Sequence, residues 1–337
     1  MKAFVVEKHA HPTKISVSHH SPAPVAKKGE ILVDVYSCGL NFFDVLQAQN
    51  KYQLQPPLPF VLGTEFAGVV SKDAVIPTGS VFKAGDKVFG AAQGSFAEQV
   101  AVHHTQLLPV PPGITFDEAA GLCITWPTSW EGIVERGQAK KGDWVLVHAG
   151  AGGVGLPAIQ IAKSLGCKVI ATASSADKLE ICKKHGGADF GIDYSKDSWQ
   201  KEVLEITGGK GVDVVFDPVG LLIPSLKVAA WKCRLIVVGF AAGAIEKIPA
   251  NLILLKNVSV VGLHLGAYYK KEPSQPPVIW GELFKGLHNG AYRPVVYDRV
   301  YNGLDKIGTG LADIESRKTW GKVIVHVRDS QDVKARL

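Results

Sequence analysis

The sequence has few cysteines and no regular spacing among them. Its five cysteines are odd in number and scattered over 337 residues, so a disulfide framework is not expected. We expect the protein to work in a reducing compartment. The longest apolar runs fall short of the roughly 18 residues that a membrane span needs. The stretch Met1–Pro12 carries Lys and His where a secretory leader would be apolar. We therefore expect a soluble, intracellular protein without a membrane partner.

Strong charge of one sign is also missing. The formal net charge of +6 is modest, and no run of five or six like charges occurs. A basic stripe with exposed aromatic residues, which RNA-binding surfaces use, is not found. Nucleic acid is therefore not expected as a partner. The length and the hydrophobic fraction of 46% suit a globular protein of two domains.

Two kinds of pattern divide the chain. Up to Gly142, short runs such as Glu30–Cys38 are β-branched or alternating and are bounded by turn residues, which predicts a β-rich region. Further on, apolar strand-like runs alternate with amphipathic stretches as far as Val258–Leu263, and these strand-like runs include Lys168–Thr172, Phe190–Asp193 and Leu235–Gly239. This alternation predicts an α/β domain with a doubly wound parallel sheet. The tail, with a predicted helix at Trp280–Asn289 and a last strand at Lys322–Val327, is expected to rejoin the β-rich region.

A glycine-rich loop opens the α/β region. The run Gly150-Ala151-Gly152-Gly153-Val154-Gly155 follows the predicted strand Trp144–His148 and begins the predicted helix Val154–Leu165. In a dinucleotide-binding loop such glycines allow a tight turn, close approach of the pyrophosphate and close packing of the helix. The helix N-terminus adds N–H groups and positive dipole for the phosphates. An ordinary glycine-rich turn is the alternative, against which the flanking strand and helix argue.

The end of the next strand indicates which dinucleotide binds. NAD-selective sites carry an acidic residue there for the ribose 2′-hydroxyl. Here the strand Lys168–Thr172 leads into Ala173-Ser174-Ser175, and Lys178 follows. Hydroxyls and a cation suit a 2′-phosphate, which a carboxylate would repel, so NADPH is the predicted cofactor. The one acidic residue, Asp177, is expected to lie at a helix N-terminus, and the alternative for Lys178 is a solvated helix lysine.

Together with Ile192-Asp193-Tyr194 and Asp217-Pro218-Val219-Gly220, these segments resemble the zeta-crystallin-like quinone oxidoreductases of the medium-chain dehydrogenase/reductase superfamily. The resemblance runs from Met1-Lys2-Ala3 to Gly321-Lys322-Val323. It implies a Rossmann doubly wound parallel sheet plus a GroES-like β-rich catalytic domain. The NADPH-binding domain would span residues 123–265, and residues 1–122 with 266–337 would form the catalytic domain. It also implies a homodimer joined edge to edge through Val258–Leu263.

The resemblance also bears on whether the chain could bind zinc. Zinc-dependent relatives have a cysteine three residues before an aspartate and, later, Gly-His-Glu. Here these positions are Asn41-Phe42-Phe43-Asp44 and Gly63-Thr64-Glu65. An amide and a hydroxyl do not replace a thiolate and an imidazole as zinc ligands. No metal site is therefore predicted, and the usual zinc route to alcohol oxidation is not expected.

The resemblance also assigns roles to single residues. Asn41 and Tyr52 would lie beside the substrate carbonyl. The groups near the cofactor would be Thr125 or Thr128 at the nicotinamide, Gly239, Phe240 and Ala241 along it, and Lys178, Tyr194 and Arg317 around the 2′-phosphate. Simpler alternatives exist: Asn41 caps a helix that begins near Phe42, and Tyr52 is a buried aromatic residue with a locally satisfied hydroxyl.

Several other polar or aromatic residues are given no catalytic role. Asp44 and Glu65 are expected to hold loops by hydrogen bonds, and His148 and His264 are interpreted as structural histidines. Trp126 and Trp130 are expected to line the cleft or to pack in the core.

The implied reaction is hydride transfer from NADPH to a quinone in a cleft between the domains, with Asn41 and Tyr52 donating to the oxygen that gains negative charge. A reductase of enals, enones or enoyl thioesters is the alternative, because these acceptors also carry an electrophilic carbon conjugated to a carbonyl. A non-enzymatic crystallin-like or RNA-binding role is a third interpretation. The cytoplasm is the expected location. The peroxisome is its alternative, because Ala335-Arg336-Leu337 resembles a Ser-Lys-Leu address.

Overall fold

The computed structural model describes residues 1–241, 243 and 245–328. The peroxisome-like tripeptide Ala335-Arg336-Leu337 lies outside these residues. The chain forms two compact units, Met1–Ile124 with Val296–Leu337 and Thr125–Val295. In the described part of the chain, no helix combines the length and the apolar character needed to cross a membrane.

The strands are β1 (Ala3–Val6), β2 (Val17–Ser18), β3 (Glu30–Gly39), β4 (Phe60–Val61), β5 (Glu65–Val70), β6 (Lys87–Ala91), β7 (Gln99–His103), β8 (Leu107–Pro109), β9 (Trp144–Val147), β10 (Lys168–Ala173), β11 (Phe190–Asp193), β12 (Val212–Asp217), β13 (Ala229–Val237), β14 (Ser259–Gly262), β15 (Tyr301–Asn302) and β16 (Ile324–His326). The α-helices are α1 (Phe42–Ala48), α2 (Phe116–Ala120), α3 (Leu122–Trp130), α4 (Gly155–Ser164), α5 (Ala176–Ile181), α6 (Trp199–Ile206), α7 (Leu222–Ser225), α8 (Ala250–Lys256), α9 (Tyr268–Lys271), α10 (Gln275–His288) and α11 (Ile307–Glu315).

The first unit is built on a mainly antiparallel sheet. Its strands follow the order β15-β16-β3-β5-β6-β8, and β7 also pairs with β3. Alternate residues of β3, among them Ile31, Val33 and Val35, are fully buried, as the period of two in a half-buried strand requires. Strand β16 brings the chain tail back beside β3. The pairing aligns Ile324 with Gly39 and Gly39 with Glu65, so segments far apart in sequence lie on neighbouring strands.

The second unit is built on a parallel sheet. Its six strands follow the order β11-β10-β9-β12-β13-β14, and every pair is parallel. Val145, Leu146 and Val147 of β9 are fully buried, because helices cover both faces of such a sheet. The strand order reverses between β9 and β12, where open α/β sheets bind their ligands. The predicted doubly wound parallel sheet is confirmed.

The division of the chain differs from the predicted one in the tail. Residues 266–295, expected in the β-rich unit, belong to the second unit. Gln160 on α4 holds Arg293 by two hydrogen bonds, Nε2–H to O at 2.9 Å and N–H to Oε1 at 2.8 Å. The rings of Tyr292 and Trp126 lie 5.4 Å apart. These contacts keep α10 with the parallel sheet.

Candidate active site and cofactor site

The predicted glycines form one tight turn between β9 and α4. Ala149, just before the first glycine, already has a φ of +47°. A Cβ at Gly155 would lie 2.3 Å from Ala149 O, and a Cβ at Gly150 would lie 2.9 Å from Ala171 Cβ. A Cβ at Gly152 would have Ala149 O, 3.1 Å away, as its one close neighbour. The loop therefore tolerates no side chain at its tightest points, and its backbone at the N-terminus of α4 fits a dinucleotide pyrophosphate.

Helix α3 is tied to this loop by Ser129, which the sequence reasoning missed. The buried hydroxyl lies 2.8 Å from Thr125 O and 2.7 Å from Val154 O. Of the two threonines predicted near the nicotinamide, Thr125 is buried and Thr128 is half-buried. Nothing in the pattern of α3 distinguishes Ser129 from an ordinary core serine, because its partner lies in another segment.

The predicted phosphate-binding residues lie at the carboxyl ends of β10 and β11. Ser174 is exposed directly after β10, and the Ser175 hydroxyl caps α5 by accepting the Lys178 N–H at 3.4 Å. Asp177 lies in the first turn of α5, as expected. Tyr194 follows β11 and packs against the core of the second unit. The structure brings the four predicted residues to two neighbouring strand ends.

The loop after β13 approaches the loop after β12. The Ala241 N–H donates to Pro218 O at 3.1 Å, and Phe240 beside it is exposed. The Asp217 carboxylate accepts the N–H groups of Val219 and Gly220 at 2.8 and 3.0 Å. Gly239, Phe240 and Ala241 therefore lie at the carboxyl edge of the same sheet as the glycine loop.

The remaining predicted residues fall into three environments. Arg317 lies after α11 in the first unit, is exposed and has a φ of +58°, and its role at the 2′-phosphate stays a prediction. Trp126 and Trp130 are buried and pack in the core, whereas His264 is exposed.

His148 is a structural histidine, as interpreted from the sequence. Its Nδ1 lies 2.9 Å from Thr172 Oγ1, and its Nε2 lies 2.8 Å from Ser225 Oγ. Complete burial lowers its pKa to about 4, so the ring is neutral at physiological pH.

In the first unit, the candidate catalytic residue Asn41 lies in a buried ring of polar groups. Its Nδ2 donates to Glu65 Oε1 at 2.8 Å, and its Oδ1 accepts from Lys322 Nζ at 2.7 Å. Lys322 also forms an ion pair with Glu65, and Glu65 Oε2 accepts the Ile124 N–H at 3.2 Å. The lysine and the carboxylate fix the orientation of the amide, because a flipped amide would place like partial charges together.

Two glycines make room for this ring. A Cβ at Gly39 would lie 2.7 Å from Glu65 Oε1, and a Cβ at Gly121 would lie 2.5 Å from Lys322 Cγ. The Glu65 side chain is completely buried, and the Lys322 side chain is 8% exposed. Lys322 was given no role in the sequence reasoning, because it lies 281 positions from Asn41.

Asp44 and Tyr52 border the same site. Asn41 begins α1, and the Asp44 carboxylate accepts its backbone N–H at 2.8 Å, which is the loop-holding role expected of Asp44. Burial raises the pKa of Asp44 to about 8. Tyr52 stacks on Phe43 with ring centroids 5.3 Å apart, and burial also raises its pKa. Asp44 and Tyr52 are therefore protonated at neutral pH.

The site offers no zinc-binding set. Among residues 1–241, 243 and 245–328, no three His, Cys, Asp or Glu side chains are grouped to hold a metal ion. Asn41 and Thr64, which the resemblance places at zinc-ligand positions, offer an amide and a hydroxyl, and the Lys322 ammonium already binds Asn41 Oδ1 and Glu65. These donors do not fit zinc.

Two models of known protein families match the chain, one in each unit. Residues 27–112 match the alcohol dehydrogenase GroES-like domain, and residues 153–276 match the zinc-binding dehydrogenase family. The folds of the two units and these two matches therefore define an oxidoreductase of the medium-chain dehydrogenase/reductase superfamily.

Relatives that align over most of their length identify the family within this superfamily. The chain is 34% identical over 318 residues to quinone oxidoreductase-like protein 2 of Rattus norvegicus, covering 93% of this chain and 89% of the relative. It is 37% identical to the homologue of that protein in Nematostella vectensis over 304 residues, 89% of this chain and 82% of the relative. The Escherichia coli quinone oxidoreductase complexed with NADPH has a TM-score of 0.87 and 30% identity, over 97% of this chain and all of the other. The chain belongs to the quinone oxidoreductase-like family of the superfamily.

Proposed function

We propose that the chain is a zinc-independent, NADPH-dependent quinone reductase. When bound, NADPH supplies the hydride, and with one proton the quinone becomes a hydroquinone. The observation that carries the proposal is the buried amide of Asn41, which is held between Lys322 and Glu65 at a position where zinc-dependent relatives have a metal ligand. A preorganised neutral donor suits an acceptor whose oxygen gains charge without a metal.

The second unit would hold the cofactor. Gly150, Gly152, Gly153, Val154 and Gly155 would receive the pyrophosphate, since a side chain has no room at the tightest points of the loop. Ser174, Ser175 and Lys178, with Tyr194 and Arg317, would receive the 2′-phosphate. Thr125 or Thr128 and the segment Gly239–Ala241 would lie along the nicotinamide. The NADPH complex of the Escherichia coli neighbour supports this assignment.

Asn41 and Tyr52 would bind the acceptor oxygen. One N–H of the Asn41 amide is taken by Glu65, so the second is left to donate. Because its pKa is raised, the Tyr52 hydroxyl keeps its proton and donates as well. The stacked rings of Phe43 and Tyr52 offer a flat apolar contact, which favours a quinone over an aliphatic enal. A reductase of enals, enones or enoyl thioesters is the second candidate, because the same two donors suit its carbonyl.

A homodimer through β14 is the proposed assembly. This strand ends the parallel sheet and pairs only with β13 among the described strands. Before it, α8 exposes Leu254 and Leu255, 78% and 72% accessible, an apolar patch of the kind that interfaces cover. Leu254→Glu would yield monomers in light scattering if this edge joins two copies, and an unchanged mass would contradict the proposal.

The test is a panel of quinones, enals and enoyl thioesters with NADPH or NADH, with and without a zinc chelator. We expect quinone reduction that prefers NADPH and is unaffected by the chelator. Asn41→Ala and Tyr52→Phe should each lower kcat/KM by roughly 10- to 100-fold, whereas Glu205→Ala on the exposed side of α6 should not. Turnover of enals alone would favour the second candidate, and no oxidation of NADPH with any acceptor would overturn both.

The cofactor choice has its own test. Ser174→Asp places a carboxylate at the end of β10, where it would repel a 2′-phosphate and bind a ribose hydroxyl. The ratio of kcat/KM for NADPH to that for NADH should fall at least roughly tenfold, the equivalent of one charge interaction of about 1.4 kcal/mol. An unchanged ratio would remove Ser174 from the phosphate site.

A further inference from the structure

Burying the ion pair of Lys322 and Glu65 costs more free energy than a purely structural contact requires. Both side chains are almost fully buried, and removing two charges from water costs several kcal/mol per ion. Apolar residues of similar volume often replace such pairs with no loss of stability. Gly121 leaves room for the stem of Lys322, because a Cβ there would lie 2.5 Å from Lys322 Cγ. A role beyond packing therefore has to be sought among the groups that the pair touches.

The group that both charges touch is the amide of Asn41. Lys322 Nζ donates to its Oδ1 at 2.7 Å, and its Nδ2 donates to Glu65 Oε1 at 2.8 Å. A cation on the carbonyl oxygen draws electron density from the amide, which makes the remaining N–H a stronger donor. It also excludes the flipped amide, which would present an oxygen to the acceptor. Orientation and donor strength thus both depend on Lys322.

We propose that Lys322 is a positioning residue of the reaction. Its ammonium binds Asn41, the residue at a zinc-ligand position, and orients and polarises the Asn41 N–H toward the acceptor oxygen. In this way it supplies part of the electrostatic stabilisation that a metal would give. This inference rests on the proposed function, because it needs Asn41 to contact the acceptor. Lys322 acts through Asn41 and therefore loses its effect when Asn41 is absent.

A double-mutant cycle tests this dependence. It compares wild type, Lys322→Met, Asn41→Ala and the double variant for kcat/KM of a quinone and for KM of NADPH. We expect Lys322→Met to lower kcat/KM roughly 10- to 100-fold, in the range of one lost oxyanion donor, and to leave KM for NADPH within about twofold. In the Asn41→Ala background the same substitution should change kcat/KM by less than about threefold, and Lys322→Arg should retain part of the activity.

Folding is controlled in the same experiment. Lys322→Met leaves the Glu65 carboxylate buried without a cation, so Lys322→Met/Glu65→Gln is measured as the neutral counterpart. We expect this pair to melt close to wild type while its kcat stays low. Lys318→Met, at a position 70% exposed, is the matched lysine control and should match wild type in both measurements.

The outcomes separate the two proposals. Equal losses in both Asn41 backgrounds, or a neutral pair that recovers turnover together with stability, would overturn the role of Lys322 and leave the reductase function standing. A wild-type protein that reduces no quinone, enal or thioester would overturn the proposed function, and this inference with it.

Discussion

Replacing Asp44 by asparagine tests the charge state of the candidate active site. Asp44 is completely buried in the first turn of α1. Its Oδ2 accepts the Asn41 N–H, and among the described residues its Oδ1 has no hydrogen-bond partner. Burial raises its pKa from 3.8 to about 8, and the charge of Lys322 offsets only part of that rise. Asparagine has nearly the shape of the neutral carboxylic acid but does not titrate.

The magnitude follows from linkage between protonation and folding. Between about pH 4 and about pH 8 the folded protein keeps a proton on Asp44 that the unfolded chain has released. Unfolding then releases a proton, so the free energy of unfolding falls by about 1.4 kcal/mol for each unit of rising pH. Asp44→Asn lacks this loss and should gain stability over wild type as the pH rises. For a unit of this size the gain corresponds to roughly 3–6 °C in melting temperature per pH unit.

The assay is the melting temperature of both proteins at several values between pH 5 and pH 8, followed by near-ultraviolet circular dichroism. Asp305→Asn, at an exposed carboxylate, is the matched control and should give a flat difference. A constant difference for Asp44→Asn would mean that the pKa of Asp44 is not raised. That result would refute the reasoning, and it includes the case in which the carboxylate is stabilised in its charged form, because Asp44 would then be ionised in the folded and the unfolded protein throughout this pH range.

Three further predictions follow from the second unit. Gly155→Ala places a Cβ 2.3 Å from Ala149 O and should weaken NADPH binding roughly 10- to 100-fold in a fluorescence titration. Gly281→Ala on α10, where an added Cβ would meet open space, should bind NADPH as wild type does. Unchanged binding by Gly155→Ala would contradict the role of the glycine loop as the pyrophosphate site. Ser129→Ala removes the hydroxyl between Thr125 O and Val154 O and should lower the free energy of unfolding by about 1–2 kcal/mol. The control is Ser316→Ala, because the exposed Ser316 hydroxyl also donates to a carbonyl; its loss should lower the free energy of unfolding by less than about 0.5 kcal/mol. Burial lowers the pKa of His148 from 6.5 to about 4, so wild type should lose stability relative to His148→Gln as the pH falls through that window, by about 1.4 kcal/mol per unit. A stability difference that does not change with pH would place the proton elsewhere.

The parallel sheet could be predicted from the sequence because its strands carry their own signal. The predicted strand Phe190–Asp193 has the observed bounds, and the predicted Lys168–Thr172 is one residue shorter than β10. Buried parallel strands are nearly continuous in Val, Ile and Leu. Strand β13 begins earlier than predicted, at Ala229. Lys232 and Arg234 interrupt the apolar run that would have indicated its start.

Helix α11 was missed for a different reason. Gly308 and Gly310 within it resemble turn residues, since glycine weakens a helix by about 1 kcal/mol. In the structure these glycines are sites of close packing: a Cβ at Gly310 would lie 2.5 Å from Leu40 Cδ1, and one at Gly308 would lie 2.8 Å from Pro12 O. The tertiary contact outweighs the local preference, and a single sequence does not contain that contact.

The candidate catalytic residues could not be predicted as a group, although the sequence did contain one signal of their contact. Asn41, Glu65 and Lys322 belong to three segments that meet only because β16 pairs with β3 and β3 with β5, so their spacing along the chain carries no pattern. Gly39 and Gly121, however, have negative φ values, and no turn requires them. A glycine that no turn requires indicates that another group approaches the backbone closely. Here the approaching groups are Ala120 O and the Glu65 carboxylate at Gly39, and the stem of Lys322 at Gly121. Such glycines indicate which buried groups approach the backbone, even where the sequence spacing of those groups carries no pattern.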